Sequence, residues 1–239
     1  MKQNTKLSLN PGGLSKSIYI SFFLSFLALS GSTVFTLLGS LATYDSETKY
    51  LKNALISETA VNIIAGFTYF YLLKYLYEDS VPLEGITSIR YLDWVVTTPM
   101  LLLSFSLYSS YVTNKNREAG TAFEDVDLIP LTYIIPLNLL MLLFGFLGEN
   151  GYMNKHYAFA ISMIFFSVLF YFIYDKYVDG KDDSLKAIYG AFTAVWLFYG
   201  FSYYLPTVPK NIAYNFLDMI SKSAFGIFLW LTTVTDLDN

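Results

Sequence analysis

Seven long apolar stretches run almost end to end through this chain, at about 17–42, 53–77, 88–112, 127–147, 156–178, 184–205 and 210–234. Short polar connections separate them, among them TYDSETKY at 43–50, TNKNREAGTAFEDVD at 113–127, GENGYMNK at 148–155 and VDGKDDS at 178–184. Each stretch meets the roughly 20 residues that a helix needs to cross the hydrocarbon of a bilayer, and each exceeds the ~9–11 residues of a barrel strand. Open strands cannot cross lipid, because their backbone polar groups would go unpaired, so helices are what remains. Only 14% of the 239 residues are charged and 54% are hydrophobic, which is too apolar for a water-soluble domain. The predicted fold is therefore an all-α membrane protein, a seven-transmembrane-helix bundle, with residues 1–239 as a single domain. The first twelve residues, MKQNTKLSLNPG, lack the apolar core of a cleaved signal, so the first stretch is expected to stay in the mature chain. Zero Cys and one His exclude a thiolate site, a disulfide scaffold and an all-His metal centre, and no metal is expected. A net charge of −4 without a basic cluster argues against a nucleic-acid partner and leaves membrane lipid as the surrounding phase. Lys and Arg divide about evenly between the two sets of connections, so charge alone does not orient the bundle.

A charge inside a membrane helix costs several kcal/mol unless it meets a partner or water, so every such residue is a functional candidate. The third stretch holds Arg90 and Asp93, the seventh holds Asp218 and Lys222, and Glu58 lies near the start of the second. Spacings of three and four residues put each pair on one helix face, and together they form a neutral quartet. One reading is a salt-bridge knot that joins two helices. The other starts from Lys222, set among apolar and small residues in LDMISKSAFGIFLW, where a desolvated amine can form a Schiff base with an aldehyde.

RYLDWVVTTPMLLL at 90–103, followed by LDMISKSAFG at 217–226, resembles the microbial (type I) rhodopsins, and the resemblance extends over all seven stretches. It implies all-trans retinal bound to Lys222 as a protonated Schiff base, with Asp93 and Asp218 as counterions, Arg90 one turn away, and Asp93 as primary proton acceptor. Thr97, one turn beyond Asp93, would donate a hydrogen bond to it, the alternative being a bond to its own helix backbone. Trp94 and Trp196 resemble the two indoles that sandwich the polyene. The resemblance also puts Thr98 and Leu101 of the third helix, Met141 and Gly145 of the fourth, and Phe159, Ser162 and Phe166 of the fifth at the chromophore. From the sixth it adds Tyr199 and Tyr203, and from the seventh Ser221. Asn138 stands where a relative has a carboxyl group. Ordinary helix packing is the alternative for each aromatic in a chain with 21 Phe and 21 Tyr. Gly200 departs from the family, many members of which have proline there. Leu101 occupies a position where a polar residue shifts relatives to the blue, so green absorption is expected, with the dipole of Ser221 acting the other way.

The third-helix triplet that sorts the family reads Asp93, Thr97, Ser104. Asp93 and Thr97 fit a proton pump. A chloride pump would have a neutral residue in place of Asp93, and a sodium pump a different triplet. Asp218 further favours outward pumping, because inward and sensory relatives usually have proline there. The function implied is a light-driven outward proton pump, an ion transporter rather than an enzyme, with a light-gated channel or sensory photoreceptor as the alternative. Ser104, about 16 Å along the helix from Asp93, cannot act as an acid where efficient pumps have a carboxyl donor. The proton must then come from water or through Glu58, which is either a solvated helix-start carboxylate or a relay. Lys210 stands where a relative has a release glutamate and VPK offers no acid nearby, so fast release is not expected. Tyr69 aligns with a histidine that proteorhodopsins carry beside the counterion, and His156 is read as a surface residue. Lys-, Asn- and Tyr-rich usage resembles rhodopsins of giant viruses, one branch of which includes ion channels. The family also implies an extracellular N-terminus and a homo-oligomer, pentamer or trimer.

Overall fold

A computed structural model describes residues 14–44, 48–78, 83–116 and 125–237. The chain forms α1 Leu14–Ser40, α2 Lys49–Tyr77, α3 Leu83–Lys115, α4 Leu131–Glu149, α5 Lys155–Tyr177 and α6 Asp183–Ser202. The seventh span is α7 Thr207–Asp218, a π-helical turn over Met219–Ala224 and α8 Phe225–Leu237. No strand occurs among the described residues. Among the described residues six spans are long and apolar enough to cross a membrane; α6, which begins at Asp183 and carries Lys186, is not one of them. The expectation about a leader in residues 1–12, and parts of the 43–50 and 113–127 connections, lie outside the described residues.

Local chemistry sets the helix ends, and several differ from the expected boundaries. α2 starts at Lys49 rather than 53, and α3 runs over Leu83–Lys115 rather than 88–112. Pro130 caps α4, which therefore begins at Leu131 and not 127. Asn154 opens α5 by accepting from the backbone N–H groups of His156 and Tyr157, and Asp182 opens α6 by accepting from Ser184. α6 stops at Ser202 instead of 205, since Pro206 disfavours helical backbone in the residue before it. That same proline caps α7, so the seventh span starts at Thr207 rather than 210. The tight turns after α4 and α5 pass through Gly151 and Gly180, both in the left-handed region at φ 74° and 70°.

The bundle is apolar outside and mixed inside, as a protein dissolved in lipid must be. Leu27, Leu38, Phe67, Leu92, Ile164 and Phe201 point outward. Inside, α1 presents Ser21, Ser25, Ser32 and Thr36 towards the seventh span, where Ser25 donates to the Asn215 carbonyl and Ser32 to that of Ser223. Gly148 of α4 lies against Ala158 of α5 and the Tyr203 hydroxyl, a close approach that only a residue without Cβ allows.

Candidate functional site

The charged quartet converges in the middle of the bundle. Lys222 Nζ lies 2.5 Å from Asp93 Oδ2 and 3.2 Å from Asp218 Oδ1, with all three side chains at most 2% exposed. Asp218 is the more fully bonded carboxylate. Tyr199 donates to its Oδ1 at 2.7 Å and Trp94 Nε1 does so at 3.3 Å, while Tyr69 donates to Oδ2 at 2.7 Å. Arg90 Nη1 adds a fourth donor at 3.3 Å. Asp93 has weaker support, from Thr68 at 3.4 Å and Thr97 at 3.5 Å, and the Thr97 hydroxyl also donates to the Asp93 carbonyl at 2.9 Å. Arg90 is held by Tyr69 at 2.8 Å, by Asn215 and by Asn211 at 3.4 Å, with its guanidinium over the Phe22 ring. Removing one partner from so buried a set leaves an uncompensated charge, at a cost of about 3–5 kcal/mol.

Lys222 sits in the π-helical turn Met219–Ala224. A π-turn adds a residue to one turn of helix and is often found at functional sites. From it the side chain reaches a chamber whose walls are apolar. Every residue assigned above to the chromophore lines that chamber: Trp94, Thr98, Leu101, Met141, Gly145, Phe159, Ser162, Phe166, Trp196, Tyr199, Tyr203 and Ser221. An amine at one end, indoles and aliphatics along the sides and carboxylates gathered at the amine fit a polyene aldehyde. Tyr91, Leu142, Met163 and Tyr214 also line it and went unnoticed in the sequence. Tyr214 could have been found, because Lys210, Tyr214, Asp218 and Lys222 recur at intervals of four along the last helix. Asn138, buried, donates to Thr98 at 2.8 Å.

Two expectations need correction. Glu58 is fully buried, with both carboxyl oxygens lacking a hydrogen-bond partner, so it is no solvated helix-start carboxylate; α2 begins at Lys49 and puts it more than two turns inside. Ser104 lies beside it and donates to the Ala54 carbonyl at 3.3 Å. Lys210, read as having no acid nearby, forms an ion pair with Glu149 from the end of α4, a partner 61 residues away that only the tertiary fold reveals. Tyr69 donates to Asp218 Oδ2, which puts it in the charged cluster. His156 is at the surface, its Nδ1 3.1 Å from the Tyr204 hydroxyl. No group of three or more His, Cys, Asp or Glu able to hold a metal occurs among the described residues.

Residues 18–236 match the family described as bacteriorhodopsin-like protein. A green-light absorbing proteorhodopsin of Gamma-proteobacterium EBAC31A08 is 28% identical over 95% of this chain and 92% of its own length. A blue-light absorbing proteorhodopsin of Gamma-proteobacterium Hot 75m4 is 26% identical over 95% and 90%. Among solved structures, viral rhodopsin OLPVRII superposes with a TM-score of 0.79 at 29% identity, covering 91% of this chain and 98% of the other. Rhodopsins of this family bind retinal as their chromophore. The chain belongs to the bacteriorhodopsin-like family, as a microbial rhodopsin and integral multi-pass membrane protein.

Proposed function

We propose that this protein is a light-driven outward proton pump, with Lys222 as the attachment point of all-trans retinal and the N-terminus outside the cell. The observation that carries the reading is the unequal support of the two carboxylates around the Lys222 nitrogen. Asp218 is occupied by Arg90, Tyr69, Tyr199 and Trp94, whereas Asp93 is 2.5 Å from Nζ with only two long hydroxyl contacts besides. Retinal, held by Lys222 between Trp94 and Trp196, would supply light absorption and a photoisomerisable polyene, and the Lys222 nitrogen would hold the proton that is passed on. Asp93 Oδ2 accepts that proton. Asp218 stays paired with Arg90 and holds the balance of charge. Trp94 and Trp196 restrain the polyene, and the apolar walls keep bulk water from the Lys222 nitrogen, so exchange runs through the few polar groups in reach. On the opposite side Glu58, buried beside Ser104, is the group placed to return a proton to that nitrogen. The proteorhodopsins, 26–28% identical, support a light-absorbing role, and Leu101 in the chamber supports green absorption.

One observation favours light-gated ion conduction as a second reading. Glu58, Asn62 Oδ1 and Ser223 Oγ are buried polar groups without partners, and Ser32, Thr36 and Asn62 crowd Gly226, giving a polar seam between α1, α2 and the seventh span. Light-induced currents across a membrane at stepped voltages separate the two. A pump gives current of one sign at every voltage near zero, and a channel gives current that reverses at the gradient of the permeant ion.

A further inference from the structure

Where α4 ends and the seventh span begins, Glu149 and Lys210 form an ion pair with side chains only 10% and 8% exposed. One carboxyl oxygen takes the ammonium; the other, Oε2, is buried and has no hydrogen-bond partner. Lys210 is the first member of a buried row, Lys210, Tyr214, Asp218 and Lys222, at successive four-residue steps. At ~1.5 Å per residue that row spans about 18 Å from the Lys222 turn to the mouth of the bundle. Arg90 runs alongside it, bonded to Asp218 at 3.3 Å and to Asn211, the neighbour of Lys210, at 3.4 Å. Tyr91 from α3, Tyr203 after α6, Tyr214 from α7 and Lys155 from α5 are the other titratable groups within electrostatic reach of Glu149. A buried carboxylate oxygen without a donor, at the end of a row of buried titratable side chains that starts at the site, is an acceptor on the same side of the bundle as Arg90 and Asp218.

We propose that Glu149 is the exit carboxyl of the proton path, receiving on Oε2 the proton that Asp93 gives up and passing it to water outside, with Lys210 as its positioning residue. This assignment rests on the pump reading. The O–H bond at Asp93 breaks as one forms at Glu149 Oε2, and that bond breaks in turn as outside water takes the proton. No electron moves, and both carboxyls end the cycle as they began it.

The test uses the full chain reconstituted with all-trans retinal in liposomes and followed after a flash by visible and infrared absorption. Glu149→Gln keeps the dark spectrum and its acid titration but slows the final return to the dark state at least roughly tenfold, and by no more than the about 10²–10⁴ typical of a lost proton-transfer group. It also abolishes a transient protonated-carboxyl infrared band that the native protein shows. Lys210→Met slows the return likewise, and Lys210→Arg restores it. A return in Glu149→Gln within about twofold of native, or an infrared band that persists there, overturns the assignment. Transport is recorded on the same liposomes. If the native protein moves no net protons yet Glu149→Gln loses the band and slows, the pump reading fails and overturns the exit role with it, leaving Glu149 only as a group protonated during the cycle.

Discussion

Single residues divide the labour at this site by how many donors each oxygen has. Because Asp218 is bonded to four groups besides Lys222, and Asp93 besides Lys222 only to two distant hydroxyls, Asp93→Asn is expected to shift the visible band to the red and to abolish pumping. Normal pumping by that variant would move the acceptor role to Asp218. Lys222→Ala is expected to be colourless, and a retained visible band would remove Lys222 from its role. On the return side, the native dark recovery should be flat with pH while Glu58 supplies the proton. Glu58→Gln should then slow it about tenfold per pH unit as bulk protons take over. Ser104→Asp, which places a second carboxyl beside Glu58, should accelerate recovery in that background. The pairs Arg90/Asp93 and Asp218/Lys222 were legible in the sequence because their spacing puts each pair on one face of its own helix whatever the neighbours do. Glu58 was not, because its burial depends on where α2 begins, and Glu149 was not, because only the folding of α4 against the seventh span pairs it with Lys210.

At the scale of helices and turns, apolar length alone gave the number and order of the elements, while prolines and caps moved their ends. The π-turn at Met219–Ala224 has no signature in MISKSA, since a π-turn is the response of a helix to side chains packed against it from elsewhere. Packing of α4 on α5 depends on Gly148, whose added Cβ would meet the Tyr203 hydroxyl and approach Ala158 Cβ to 2.5 Å. Gly148→Ala should therefore destabilise by about 1–3 kcal/mol, measured as faster thermal bleaching, with partial relief in Gly148→Ala/Tyr203→Phe. The connection into α4 is tied to the start of α2 through Asp125, which accepts from Tyr50 at 2.6 Å and Lys49 at 3.1 Å, and these bonds hold its carboxyl below the usual range. With the folded value depressed, the tie is fully present above the unfolded value near ~3.9 and is lost as pH falls through the lower folded one. Amide exchange at Val126, whose N–H donates to the Tyr50 hydroxyl at 3.1 Å, should rise in that acid window, and Asp125→Asn should show raised exchange without the pH step.

The whole molecule is a membrane bundle with buried polar groups at three levels. One end carries Arg90, Lys210 and Glu149, the middle carries Lys222 between its two carboxylates, and the far half carries Glu58 beside Ser104. Apolar helix faces surround these groups, and a largely apolar, aromatic-lined chamber reaches the Lys222 nitrogen. The central claim is net outward transport of protons driven by light through Lys222. The most direct measurement is the pH of a lightly buffered suspension of cells that express the protein with all-trans retinal, recorded through cycles of green light and darkness. The account predicts acidification of the medium in the light, abolished by a protonophore and absent in cells expressing Lys222→Ala. A medium that stays constant or turns alkaline in the light would contradict it.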